Sequence, residues 1–170
     1  MPDRAAQDLV DQPLPDLTLD DAEGRPFALR SRVGLRPIVL FFFVRCGTPS
    51  CVREMHEFRE RHADFEAAGV DIAGVSPDPV ARNREWAERL RLPFPLLSDP
   101  ERRAGEAFGI LRRIGIAGWN LEMFRRTTVL ADRDGVIRAV WSPVKVRGHA
   151  LEVLAVARAL AAAGAAPASA

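Results

Sequence analysis

Cys46 and Cys51 stand in the segment RCGTPSCVRE, with Thr48 between them and Glu54 one helical turn beyond the second thiol. A cysteine attacks only as its thiolate, and a free thiol with a pKa near 8.5 is about 3% ionised at pH 7, so a nucleophilic cysteine needs partners that stabilise the anion. Gly47, Thr48, Pro49 and Ser50 break the chain ahead of a helical pattern. That places Cys51 in a first helical turn, where unpaired backbone N–H groups and the positive end of the dipole face an anion. Arg45 and Arg53 lie close in sequence, and Thr48 carries a hydroxyl able to donate to an anion or accept from a protonated substrate oxygen. The structural alternative is that Cys51 is a small core residue, since free cysteine is among the most buried types. Two cysteines make no disulfide framework, and a reducing compartment keeps both as thiols at rest. A Cys46–Cys51 disulfide needs Cα atoms about 4.4 to 6.8 Å apart, whereas the intervening residues extend beyond about 15 Å, so the turn at Gly47 and Pro49 decides whether the sulfurs meet.

The elements around this segment follow from periodicity. Residues 38–44 (IVLFFFV) are apolar without alternation, the pattern of a central strand covered on both faces. Met55, Phe58, His62 and Phe65 recur at helical spacing up to a stop at Gly69. A strand follows at 70–75, then a helix capped by Asp78 whose face includes Trp86 and Leu90 and which Pro93 ends. Residues 95–97 read as a short strand, Pro100 opens a third helix through Phe108, and residues 109–120 read as a Gly-containing loop. Strands near 127–131 and 136–141 flank a tight turn at 132–135, and a last helix covers about 148–162. Residues 17–29, around the DAEG turn, predict an N-terminal β-hairpin. The expected architecture is α/β, a central mixed sheet flanked by helices. Such sheets place ligands at the carboxyl ends of their strands, where Cys46 and Cys51 fall. Residues 1–12 are expected as a flexible arm, 13–162 as one domain, and 163–170 as an Ala-rich frayed tail.

Composition excludes several classes. At 170 residues, 48% hydrophobic and 28% charged, the chain has the profile of a single globular domain rather than of disorder. A formal net charge of +1 gives no global field for a polyanion, so no nucleic-acid partner is expected. The apolar run at 37–44 is far short of the roughly 20 residues of a membrane span, and the acidic start MPDRAAQDLVDQ lacks the apolar core of a secretory signal. A cytoplasmic location without membrane attachment is the expectation.

Residues 13–154 resemble the peroxiredoxin family, in its Q-type (bacterioferritin-comigratory) branch of thioredoxin-like fold. The resemblance is carried in order by PDLTLDDAEG, SPDPV, LPFPLLSDP, AFGI, RTTVLADRDG and KVRGH. Thr48 and Cys51 also match the last two fixed positions of the pattern Pro-x-x-x-Thr/Ser-x-x-Cys. The resemblance implies a peroxidase in which Cys51 is the peroxidatic cysteine, Thr48 and Arg126 hold the peroxide and the thiolate, and Glu54 orients Arg126. It implies no metal or other cofactor, reduction by a thioredoxin-like protein or a small thiol, and a monomer or homodimer. Val44 stands where the pattern has proline, and His56 stands where many Q-type members carry a resolving cysteine. Cys46 is then the candidate resolving thiol, or an external thiol reduces Cys51 directly.

Rival readings remain. A thiol–disulfide exchanger is expected to carry Cys-x-x-Cys, and CGTPSC is longer. A metal carrier built on Cys46, Cys51 and His56 has soft ligands at no standard spacing and needs a fourth group such as His149. His62, on the apolar stripe, reads as a satisfied, partly buried histidine. Trp119 and Phe124 form either an apolar wall selecting organic peroxides or ordinary core packing, and Arg112 and Arg113 read as a solvated pair.

Overall fold

The structure is a computed structural model that describes residues 4–165. Its strands are β1 (Thr18–Asp20), β2 (Pro26–Ala28), β3 (Ile38–Phe42), β4 (Asp71–Ser76), β5 (Leu96–Ser98), β6 (Leu111–Ile116), β7 (Trp119–Phe124), β8 (Thr127–Ala131) and β9 (Ile137–Trp141). The helices are α1 (Arg4–Gln7), α2 (Pro49–Ala67), α3 (Val80–Leu90), α4 (Arg103–Ala107) and α5 (His149–Ala165). Seven strands form one mixed sheet in the order β2-β1-β5-β4-β3-β8-β9, with β3, β4 and β5 parallel and the outer pairings antiparallel.

β3 is buried at every position because both of its faces are covered. Val39 and Phe41 point into a cluster with Met55, Phe58 and Phe65 of α2 and Val153 and Leu154 of α5. Ile38, Leu40 and Phe42 point into a second cluster with Phe108, Phe124 and Val129. The alternation of a strand thus turns one unbroken apolar run into two cores. Phe41 stacks on Phe58 at 4.7 Å, locking α2 to the strand that leads into it. Fully burying each such ring contributes roughly 1.5–3 kcal/mol.

Four expectations are corrected. Residues 4–12 are not an untied arm: Asp11 donates its N–H to the Ile137 carbonyl at 2.8 Å, Ile137 returns one to Gln12 at 2.9 Å, and Ala6 is buried. Most of the expected tail lies outside the described residues, and its first part continues α5 to Ala165. The expected loop at 109–120 is largely the β6–β7 hairpin, a separate two-stranded sheet closed by Ala117 (φ 48°) and Gly118 (φ 81°). A two-residue turn with both φ values positive matches the twist of paired strands. The third helix is only α4, because Arg102 adopts a left-handed conformation (φ 57°) just before it. Among the described residues, no helix is long and apolar enough to cross a membrane.

Candidate active site

β3 and β8 run antiparallel with Phe42 opposite Thr127, so the end of one strand and the start of the other share a sheet edge. The chain leaves β3 there toward α2, and Arg126 enters β8 there. Topology alone therefore brings Arg126 to the first turn of α2.

Pro49 occupies the first position of α2, where its fixed φ suits a helix and its missing N–H costs nothing. The first intrahelical bond joins the Val52 N–H to the Thr48 carbonyl at 2.9 Å. The N–H groups of Ser50 and Cys51 come ahead of it and have no intrahelical acceptor. Cys51 is fully buried, its helix face continuing through Glu54, Met55, Phe58 and Phe65. Arg126 donates from Nη2 to Cys51 Sγ at 3.1 Å and to Ser50 Oγ at 3.0 Å, while its Nη1 donates to Glu54 Oε2. One planar guanidinium thus spans the sulfur and the carboxylate, a geometry its rigid fork permits.

Glu54 is only 1% exposed and its Oε1 has no hydrogen-bond partner. Burial pushes its carboxyl up to about 7, against the opposing pull of Arg126. Burial works to lower Arg126, yet the charges of Glu54 and Cys51 hold it above the ordinary range. His149, also buried, faces Thr128 Oγ1 through Nε2 at 2.7 Å and meets Phe58 and Trp141 edge-on. Burial, helped by the charge of Arg126, pulls its ring down to about 4, so it is neutral near pH 7.

The other sequence candidates separate. Thr48 caps α2 with extended backbone, and its hydroxyl donates to the Arg45 carbonyl at 3.1 Å, leaving its lone pairs to accept. Val44 packs half-buried against the core that holds Cys51. Cys46 faces away toward α3: its Sγ donates to Asn83 Oδ1 at 3.2 Å and its N–H to Asp78 Oδ2 at 2.8 Å. Burial, reinforced by the Asp78 charge, pushes the Cys46 thiol far up. Both cysteines are free thiols.

Asp78 therefore does not cap α3; Pro79 holds that position, and the carboxylate serves the Cys46 amide instead. Among the described residues no group of three His, Cys, Asp or Glu side chains is placed to hold a metal ion, and the two sulfurs of the carrier reading face different partners, Asn83 and Arg126. His56 comes five residues after Cys51, about 140° away around the helix. Of the two aromatics, Phe124 is core, edge-on to Phe42 at 6.1 Å, whereas Trp119 is 81% exposed on the hairpin. His62 is partly buried beside Phe94, as its stripe position implies. Arg112 is exposed, whereas Arg113 pairs with Glu106 and Glu122. Sequence reasoning missed Asp78, Arg82 and Asn83 as partners of the cysteine loop; the polar SPD segment beside a strand end is the available signal.

The AhpC/TSA family model matches residues 10–140. The chain belongs to that family. Among curated relatives, a putative peroxiredoxin Bcp of Coxiella burnetii is 36% identical over 145 residues, covering 85% of this chain and 95% of its own. Peroxiredoxin Bcp of Bacillus subtilis is 34% identical over 145 residues, covering 85% and 92%. Among solved structures, the bacterioferritin comigratory protein of Xanthomonas campestris, described for its alkyl peroxide reduction activity, superposes with a TM-score of 0.81. It shares 32% identity over 86% of this chain and 92% of its own. The protein is thus a peroxiredoxin of the Bcp/Q branch with the thioredoxin-like fold of its relatives, and peroxiredoxins are thiol-dependent peroxidases.

Proposed function

We propose that this peroxiredoxin reduces hydrogen peroxide and organic hydroperoxides at Cys51. The observation that carries the reading is the Arg126 hydrogen bond to a fully buried Cys51 sulfur at the start of α2. The thiolate attacks one peroxide oxygen, the O–O bond breaks, and sulfur is oxidised by two electrons to the sulfenic acid. The other oxygen leaves as hydroxide or alkoxide and takes a proton to become water or alcohol. Charge grows on that oxygen only as the bond breaks, so donors fixed nearby act mainly on the transition state. Arg126 and the free N–H groups of the first turn are those donors, and Thr48 accepts from the peroxide hydroxyl. Glu54 is a positioning residue: it touches Arg126 rather than substrate. The alkyl peroxide reduction described for the Xanthomonas relative supports including organic hydroperoxides.

A thiol, either Cys46 or one from outside such as a thioredoxin-like protein or a small thiol, then attacks the sulfenic sulfur and releases water. A second thiol completes reduction of the resulting disulfide, which suits a reducing, cytoplasmic compartment. The test is peroxide consumption with a dithiol donor. The wild type should turn over, and Cys51→Ser should lose at least about 10³-fold, the scale expected when a nucleophile is removed. Equal rates for the two proteins would overturn the reading.

A further inference from the structure

Every polar group of Cys46 is engaged by a side chain more than thirty residues away in sequence. Asp78 Oδ2 accepts its N–H at 2.8 Å, Asn83 Oδ1 accepts its thiol proton at 3.2 Å, and Arg82 Nη2 donates to its carbonyl at 3.1 Å. The three side chains are themselves fixed. Ser76 donates to Asn83 Oδ1 at 3.1 Å, Asn83 Nδ2 donates to Ser98 Oγ at 2.9 Å, and Arg82 Nε lies 3.7 Å from Asp78 Oδ1. Ser76 and Ser98 are the last residues of β4 and β5, so the network ties the cysteine loop to the ends of two sheet strands. Asn83 is fully buried. The next residue closes the fit: Gly47 has φ 86°, and a Cβ there would lie 2.8 Å from the Trp86 ring. Two residues later α2 begins.

We propose that Cys46 acts as a hydrogen-bonding positioning residue, clamped by Asp78, Arg82 and Asn83 so that the first turn of α2 presents Cys51 to Arg126, and that an external thiol reduces the Cys51 sulfenic acid. This rests on Cys51 being the peroxidatic residue. A resolving thiol must approach the sulfenic sulfur as thiolate. The Cys46 sulfur instead gives its proton to a neutral amide beside a carboxylate, and a disulfide would require breaking its bonds to α3.

The test combines variants with mass. After one equivalent of peroxide, intact mass of the wild-type protein should rise by one oxygen; a loss of two hydrogens, the Cys46–Cys51 disulfide, overturns the proposal. Cys46→Ala, which removes the donor, should slow single-turnover oxidation of Cys51 about fivefold, the scale of one buried hydrogen bond. The subsequent reaction with dithiothreitol should be unchanged. Cys46→Ser restores a donor and should bring oxidation back to within about twofold of wild type while sustaining steady-state turnover. A wild-type rate in Cys46→Ala, or turnover lost in Cys46→Ser, overturns the proposal. Asp78→Asn loosens the same clamp while leaving both cysteines in place, should slow oxidation in the same direction, and serves if Cys46→Ala does not fold; an unchanged rate there counts against the clamp. Loss of peroxide consumption in Cys51→Ser is the separate control: if that variant keeps wild-type activity, the underlying assignment fails rather than the clamp.

Discussion

At the start of α2 the Cys51 sulfur receives a hydrogen bond from a guanidinium, whereas five residues earlier the Cys46 sulfur gives one to a neutral amide. Both sulfurs are out of solvent, at 0% and 1% residue exposure, so burial does not distinguish them. Their partners do. A guanidinium donates to the Cys51 sulfur at 3.1 Å, while at Cys46 burial and the nearby Asp78 carboxylate favour the neutral thiol. Reactivity at this junction is set by donors and acceptors placed by the strand ends, and the loop between the sulfurs joins two opposite electrostatic environments.

The contrast breaks most severely at its cation. Arg126→Ala should lower the rate of Cys51 oxidation by about 10²- to 10³-fold, the scale of losing a fixed transition-state donor, as read by stopped-flow peroxide kinetics. The same change leaves the buried Glu54 carboxyl, already pushed up to about 7, without its partner, so urea unfolding should show a stability loss of about 1–3 kcal/mol. A rate within twofold of wild type would remove Arg126 from the account.

Titration sharpens the same side. Glu54 titrates near 7 when folded and near 4.5 when unfolded, so it binds more protons in the fold, and its contribution is lost as pH rises from about 4.5 to 7. His149 is the reverse: at about 4 folded against 6.5 unfolded, it loses stability as pH falls through that window. Each shift corresponds to about 3 kcal/mol at most, and the two slopes oppose. Glu54→Gln should therefore expose a stability that rises with pH between 4 and 6.5, and His149→Gln one that falls between 4.5 and 7. Chemical denaturation at several pH values reads both, and identical profiles for the two variants would contradict these environments.

Smaller effects belong to the loop and the hairpin. Gly47→Ala forces a side chain toward Trp86 at positive φ and should cost about 1–3 kcal/mol by thermal unfolding; a neutral result would show that Trp86 yields freely. Trp119→Ser, on the exposed hairpin, should change rates toward hydrogen peroxide and a bulky organic hydroperoxide by less than about twofold, as surface changes usually do. A selective loss toward the bulky peroxide would restore Trp119 to the substrate path.

Local patterns made most of the frame legible. The unbroken run at 38–44, the stripe of Met55, Phe58 and Phe65, and Pro49 ahead of Cys51 encode β3, α2 and the place of the thiol through periodicity and backbone preference alone. Arg126 reached the candidate set through family resemblance, because its position depends on β8 pairing beside β3, a contact between distant segments. Asp78 was misassigned for the same reason: its cap-like position is local, while its true partner, the Cys46 amide, comes from across the sheet edge. The β6–β7 hairpin was hidden by its glycines, since Ala-Gly at 117–118 is a weaker turn signal than Asn-Gly.

The most direct check of Cys51 as the oxidised sulfur is to trap sulfenic acid with a 1,3-dione probe after one equivalent of peroxide and map the adduct by peptide mass. The adduct is expected on Cys51 and none on Cys46. An adduct on Cys46, or peroxide left unconsumed with Cys51 still reduced, would contradict it.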